Sequence, residues 1–410
     1  MIKIIRSSIK MTGLLTVFIS VTRIINILYF VILARIFAVS DFGLFKYLIT
    51  VAGIYAILFS GYAVALTKYI SAAKEHTSII MRYYSNTAFI MAIIYIILTI
   101  IITINEPKSL YVALFLYAAL VDILYQEFSR GILDYTRLIG FKLIENIIQL
   151  AILIVVFIFY KELNFTAAVI VFCFSGTLSG MILEIYSSTK LKFSLKYLNK
   201  KIVIQLSQYA FPVMLWFAGS KLIESINTIF IKLDLSLEHV GHFSVGLTVV
   251  QIFNLIPLAI SAIVLPKISN KKITKDILTK INIGIVGNLV VSIFMLAVIL
   301  LFGRVIISSI FGSKYLTAYS VFLPLSLAQI LLSTHQIYAS IFQGIKSILI
   351  PAVTIGIGAT LNVIGSYLFT AKYGILGASV SFAVSSLIIT IIIVSIFYFN
   401  YWYRPTGRMC

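Results

Sequence analysis

The sequence predicts an all-α polytopic membrane protein: about twelve transmembrane helices in two six-helix lobes, related by a pseudo-twofold axis along the membrane normal. Three observations predict it. Of 410 residues, 61% are hydrophobic and only 11% are charged, with a mean hydropathy of +1.09, far more apolar than a domain whose surface must be wetted. Apolar runs of about twenty residues, the length that crosses a hydrocarbon core, recur along the whole chain. The chain also repeats itself. A shift of 198 residues lays Gly43 on Gly241, Phe45 on Phe243, Thr50 and Val51 on Thr248 and Val249, and Ile70 and Ser71 on Ile268 and Ser269.

Taken in order, the first six spans are expected near residues 13–36, 43–70, 85–104, 110–130, 140–160 and 165–187. The second six are expected near 205–232, 243–265, 281–302, 318–343, 348–370 and 375–400. A basic linker, 188–203, falls near the middle and divides the chain into an N-lobe, 1–195, and a C-lobe, 196–410. Beyond the first hairpin the match resumes at an offset of 213, with Tyr125, Gly131 and Ile132 on Tyr338, Gly344 and Ile345; further on, Ala167 and Val169 pair with Ala378 and Val380. Longer connections in the second half, at 266–280 and 303–317, account for the change of offset. Two repeats in the same orientation imply an axis along the membrane normal and a central cleft, the architecture of a transporter.

The net charge of +19, from 32 Lys and Arg against 13 Asp and Glu, would suggest nucleic acid in a soluble protein. Here it has a topological cause. Placing both termini in the cytoplasm puts Lys3, Arg6, Lys10, Lys74, Arg82, Arg130, Arg137, Lys142, the linker residues Lys190, Lys192, Lys196, Lys200 and Lys201, then Lys267, Lys271, Lys272, Lys275, Lys280, Lys346, Arg404 and Arg408 inside. Arg35, Lys46, Lys108, Lys161, Arg304, Lys314 and Lys372 then fall outside. The bias is roughly three to one, in the direction of the positive-inside rule. The basic loops are short and lack the aromatic interleaving of a nucleic-acid module, so no nucleic-acid partner is expected. Two cysteines, Cys173 and Cys410, provide neither a disulfide framework nor a metal cluster. The basic N-terminus resembles a signal peptide, but Arg23 interrupts its apolar run and no small-residue cleavage site follows. It is expected to be an uncleaved first span.

Charges inside the spans are the candidate functional residues, because an ionised group near the bilayer centre costs about 2.5–3.5 kcal/mol on insertion scales. Arg23 lies in the first span, and the 198 register places it on Lys221 in the seventh. Equivalent positions about a twofold axis either both face the cleft or both face away. The pair therefore points to a cationic cavity, which Lys46 and Arg35 would extend, and to an anionic substrate whose phosphate oxygens suit Arg and Lys. The alternative is neutralisation within each lobe, for which Glu224, three residues beyond Lys221, is suitably spaced. Asp122 in the fourth span falls on His335 in the tenth. These two, with Glu224, are candidates for ion coupling or else for buried packing bonds. Glu127, Glu145 and Glu184 lie near cytoplasmic ends, where solvation or pairing is expected. Pro212, Pro257, Pro324 and Pro351 are candidate kinks, and Gly374, Gly377, Ala378 and Ser381 form small-residue spacings for close helix contact. No Walker, dinucleotide, His-Glu metal or nucleophile-elbow motif is present, so neither a cofactor nor direct use of ATP is expected.

Several segments resemble one family. Leu33-Ala34-Arg35-Ile36-Phe37 followed by Ser40-Asp41-Phe42-Gly43-Leu44-Phe45 is similar to the first-hairpin signature of Wzx-type polysaccharide flippases of the MOP exporter superfamily. So are Arg130-Gly131 and Gln343-Gly344 after the fourth and tenth spans, and Lys372-Tyr373-Gly374-Ile375-Leu376-Gly377-Ala378 before the twelfth. The resemblance implies a flippase of the bacterial inner membrane moving an undecaprenyl-pyrophosphate-linked oligosaccharide, such as an O-antigen unit, from the cytoplasmic to the periplasmic leaflet by alternating access. Its implied partners are that lipid-linked glycan, the bilayer and other polysaccharide assembly proteins, namely a polymerase and a chain-length regulator.

Three alternatives stand beside this reading, of which a non-transporting membrane scaffold is disfavoured by the duplicated intramembrane cations. A multidrug exporter of the same superfamily would place carboxylates in the cleft for organic cations, where the register pair here is Arg and Lys. A membrane polymerase or ligase acting on the same lipid-linked sugar needs a substantial outer site, yet the longest outer connection, 303–317, is short. The chain is therefore expected to be a carrier and not an enzyme. The orientation is tested by reporter fusions: those after Lys196 and Lys272 should report cytoplasm, those after Asn105 and Lys314 the outer side, and the reversed pattern would overturn it.

Overall fold

The computed structural model describes residues 21–400 apart from 74–75, 106–109, 161–163, 188–189, 255–274, 345–346 and 348, and among these every regular element is helical. The first helix, α1, covers residues 21–36. It is followed by α2 (Val39–Tyr55), α3 (Ile57–Ala72), α4 (Thr77–Asn105), α5 (Leu110–Gly131), α6 (Tyr135–Tyr160) and α7 (Phe165–Tyr186). The second half contains α8 (Lys200–Asp234), α9 (Leu237–Val250), α10 (Lys275–Ile310), α11 (Phe322–Gly344) and α12 (Leu349–Tyr398). The start of the expected first span, residues 255–265 of the eighth with Pro257, and the cations of both termini lie outside the described residues.

Eight of the described helices are long and apolar enough to cross a membrane. The expected second span is a bent pair, α2 and α3, which meet at 53° across Ala56. The two expected last spans are the arms of α12, which folds back on itself at Gly374 (φ 63°, ψ −148°). A residue with a side chain is strained in that left-handed region. The arms then run side by side. Asn362 and Ser366 on one arm meet Ser381 on the other, the Ser381 hydroxyl donating to Asn362 Oδ1 at 2.9 Å, and Gly358 packs against Ile389. The helices are wrapped in lipid-facing aliphatic residues. On α4 alone, Ile93, Ile96, Ile97, Ile100, Ile101 and Ile104 are exposed, at the three- and four-residue spacing of one helix face.

Two expectations are corrected here. The connection at 303–317 is mostly helical: α10 runs through Gly303 to Ile310 and ends at Gly312 (φ 103°), where a 3-10 turn, Ser313–Val321, begins. Gly303 is a packing residue and not a terminator, since a Cβ there would lie 2.9 Å from ring carbons of both Phe322 and Tyr319. Pro324 and Pro351 do not kink spans. Each is the third residue of its α-helix; at Pro351 the missing N–H falls in the first turn and has no intrahelical acceptor to lose, and Pro324 follows directly on the 3-10 turn Ser313–Val321. Pro212 alone among the described prolines singled out above lies well inside a helix.

By compactness the chain divides into one unit of Val21–Lys221 and another containing everything from Leu222 onward. In the first unit, Phe45 packs edge-on against Phe115 and Phe172 at 5.1 and 5.7 Å between centroids, and Tyr125 stacks on Phe141 at 4.3 Å. Polar side chains tie neighbouring helices through backbone carbonyls, as Ser179 Oγ does by donating to Phe141 O at 2.7 Å. The basic linker packs within this unit. Asn86 donates to Tyr197 O and accepts from Asn199 N, both at 2.9 Å. The first half of α8 also packs here, with Gly61 of α3 closing on Ala210 and Met214.

The second unit is held the same way. Asn362 Nδ2 donates to Ile223 O at 2.8 Å, Ser366 Oγ donates to Asn227 Oδ1 at 2.6 Å and Thr390 Oγ1 donates to Leu331 O at 2.9 Å. Its core joins Ile285 of α10 to Ile337, Tyr338, Ile341 and Phe342 of α11 and to Ile393 and Phe397 of α12.

Helix boundaries repeat in the registers read from sequence. Helix α1 ends at residue 36 and α8 at 234; α2 begins at Val39 and α9 at Leu237; and the break at Ala56 answers the 3-10 turn Gln251–Asn254, all at an offset of 198. At an offset of 213, α5 ends at Gly131 and α11 at Gly344. The duplication is therefore present in local structure as well as in residue identities.

The α12 hairpin yields a stability prediction. A Cβ at Gly377 would collide with the Phe369 carbonyl, whereas one at Gly287 would meet nothing. Gly377→Ala should lower the detergent-solubilised melting temperature by several degrees, from a cost of about 1–3 kcal/mol, while Gly287→Ala should leave it unchanged or raised. Equal behaviour of the two would contradict the hairpin.

Candidate functional site

The buried charges of the first unit are the densest functional chemistry among the described residues. The α5–α6 hairpin brings Asp122 opposite Lys142. Lys142 Nζ lies 2.5 Å from Asp122 Oδ1 and 2.8 Å from Glu145 Oε2, and Gln126 Nε2 donates to the same Asp122 oxygen at 2.8 Å. One ammonium thus joins two carboxylates on facing helices, with Glu145 nearly sealed from solvent. One turn away Asn146, also on α6, donates to Thr22 O of α1 at 3.1 Å, fastening the triad's helix beside Arg23.

Nearer the hairpin turn, Arg137 forms a second charged node. It pairs with Glu184 of α7, donates from Nε to Tyr125 Oη at 2.9 Å, and lies over the Tyr125 and Phe128 rings. Glu184 also accepts from Leu191 N at 2.9 Å. Glu127 pairs with Arg130 and accepts from Thr67 at 2.8 Å. The glutamates expected to be solvated or paired near the cytoplasmic ends are paired. Lys142 was read only as a cytoplasmic cation, yet it is the centre of the triad. The hairpin register, with Tyr125 facing Phe141, places Asp122 opposite residue 144, and Lys142 reaches it only through the length of its side chain.

The sequence candidates occupy distinct settings. Arg23 is half-buried on α1, and Arg35 is exposed at that helix's end. Lys221 is half-buried, and its Cε and Nζ lie 2.7 and 2.9 Å from where a Cβ of Gly53 would be. The glycine clears a track for the lysine beside the α2–α3 bend. Lys46 points into the aromatic core, its Nζ 3.1 Å from the Phe30 centroid and 5.6 Å from that of Phe42, a cation–π arrangement. Glu224 is exposed and belongs to the second unit. Asp122 and His335 are each engaged within their own unit. His335, 3% exposed on α11, meets Thr354 of α12 through Nε2 at 2.9 Å, while Asp122 reaches α6. In the 213 register those two partner helices are equivalent, so the paired positions join equivalent helix pairs. Among the described residues no group of three His, Cys, Asp or Glu side chains is disposed to hold a metal.

Comparison with known proteins gives three kinds of match. A family model described as polysaccharide biosynthesis protein matches residues 8–272. A probable low-salt glycan biosynthesis flippase of Haloferax volcanii is 26% identical over 219 residues, which is 52% of this chain and 46% of that protein. Among solved structures, a lipid II flippase in an inward closed conformation superposes with a TM-score of 0.77 at 16% identity, over 94% of this chain and 87% of that one. An inward-facing multidrug resistance MATE family transporter of the MOP superfamily gives 0.75 at 14% identity, over 94% and 96%. At such identities the structures establish a shared fold.

The triad carries its own test. Lys142→Met leaves two carboxylates facing each other without their cation. Lys142 and Asp122 are only half-buried, so the cost falls below the about 3–5 kcal/mol of a fully buried ionic group, and this variant should lose part of its folded yield. Asp122→Asn with Glu145→Gln in the same chain should restore it, as measured by size-exclusion recovery. Failure of the triple variant to recover would contradict the pairing.

Proposed function

Because the chain belongs to the polysaccharide biosynthesis protein family, we propose that it is a flippase carrying a lipid-linked oligosaccharide from the cytoplasmic to the outer leaflet by alternating access. The proposed carrier lipid is undecaprenyl pyrophosphate and the proposed membrane is the bacterial inner membrane, with both termini cytoplasmic. An O-antigen or similar repeat unit is its cargo, and a polymerase and chain-length regulator receive what it delivers. It acts as a carrier and forms no covalent intermediate. The family match carries the reading, and the relationship to a probable glycan biosynthesis flippase supports it.

The chemistry follows from the substrate. A pyrophosphate headgroup must leave water to cross the bilayer, and cations already held within apolar spans offset its desolvation. Arg23 and Lys221 are the proposed binding pair. The guanidinium presents a fork that matches phosphate oxygens, and the lysine supplies a point charge. Arg35 is a secondary contact near the helix end. Lys46 contributes through the field it adds, its ammonium lying against Phe30. The fold is shared with multidrug transporters, and the cationic pair favours an anionic cargo over that alternative.

Energy must come from a gradient, since no nucleotide motif is present. A potential of 100 mV is worth about 2.3 kcal/mol per elementary charge, enough to bias a two-state carrier by more than tenfold. Asp122 is the first coupling candidate, because its carboxylate shares Lys142 with Glu145; His335 and Glu224 follow.

Arg23→Ala or Lys221→Ala should reduce surface polysaccharide by about tenfold or more at normal protein level, the loss of a charge-assisted bond, with lipid-linked repeat units accumulating in the cytoplasmic leaflet. Arg23→Lys should be milder. Full activity in the double alanine variant would sink the binding pair.

A further inference from the structure

The segment joining α7 to α8 carries five lysines and no acidic residue between 190 and 201. It is tied to the first unit every third residue. Leu191 and Tyr197 pack on a core of Leu66, Ile70, Ile80, Met81 and Phe128, and Ser194 N donates to Ser85 Oγ at 3.2 Å. Leu191 N is held by Glu184 and Tyr197 O by Asn86, both at 2.9 Å. Lys190 turns back to bind the carbonyls of Glu184 and Ile185 at the end of α7.

That spacing turns the residues between the anchors outward. Lys192 and Lys196 are exposed, and so are Phe193 and Leu195, at 50% and 65%. Two large apolar side chains flanked by two cations suit neither water alone nor a dry interior. They suit the headgroup boundary of a bilayer, where rings and aliphatic chains enter the acyl edge and ammonium groups stay with phosphates. The position agrees. The segment leaves α7 directly after Tyr186, which is 82% exposed at the end of an apolar span, and enters α8 at Lys200. Exposed Tyr at such a boundary is the usual composition of a membrane interface.

We propose that residues 192–196 form a preformed interfacial clamp that binds the headgroups of anionic phospholipid, with Phe193 and Leu195 inserted and Lys192 and Lys196 pairing with phosphate. The occupant is a membrane lipid, chosen by charge complementarity and by the apolar residues between the cations. The backbone bonds to Asn86, Ser85 and Glu184 hold the clamp in shape before lipid arrives, so little ordering is required on binding.

The test places Trp at the clamp. In the full chain with Trp216 and Trp402 replaced by Phe, Phe193→Trp is reconstituted into phosphatidylcholine vesicles containing equal mole fractions of doxyl-labelled phosphatidylglycerol or doxyl-labelled phosphatidylcholine. Quenching by the anionic lipid should be stronger by about fivefold or more at low ionic strength. The preference should shrink in high salt and vanish in Lys192→Gln/Lys196→Gln, whose emission stays blue-shifted because the apolar contact remains. Equal quenching by both lipids would overturn the headgroup site. A water-like emission without quenching would remove the clamp from the membrane and point to a protein partner.

Discussion

Inside a bilayer, a polar or charged group that does not find its partner within the protein finds none, and most of this structure answers that constraint. Ser, Thr and Asn side chains bond backbone carbonyls of neighbouring helices, from Ser179 on Phe141 to Asn362 on Ile223. The charged groups of the first unit are grouped in the same way. Arg137 is answered by Glu184, Tyr125 and two ring faces, Lys142 by two carboxylates, and Lys46 by Phe30. These contacts also fix the helix register, because each one joins a particular pair of helices at one level.

Lys46 sits among rings of its own core, which moves the weight of the proposed anion site to Arg23 and Lys221, the pair defined by the internal register. Gly53 adds a physical reason for the choice, since its lack of a side chain lets Lys221 lie against α2 close to the bend at Ala56.

Much of the fold was legible in the sequence because lipid imposes a length and a composition on each helix. The internal repeat was legible to the residue: helix ends at 36 and 234, and at Gly131 and Gly344, fall where the offsets of 198 and 213 place them. What hydropathy could not show was packing. The bend dividing α2 from α3 lies in an uninterrupted apolar run, Gly303 looked like a loop residue until Phe322 and Tyr319 were seen against it, and the prolines at 324 and 351 start helices instead of kinking them. The candidate site was legible in part. Charge position in the sequence drew attention to Asp122, which the structure joins to Lys142, but Lys142 itself was hidden because its role depends on which residue of α5 faces it across the hairpin.

The intramembrane cations Arg23 and Lys221 are proposed to serve an anionic lipid headgroup. Native mass spectrometry of the purified protein, offered undecaprenyl pyrophosphate or uncharged undecaprenol at equal concentration, tests it most directly. Retention of the pyrophosphate lipid is expected to exceed that of the alcohol by about tenfold or more, with that preference lost when Arg23 and Lys221 are both alanine. Equal retention of the two lipids, or a preference that survives the double substitution in a folded protein, would contradict it.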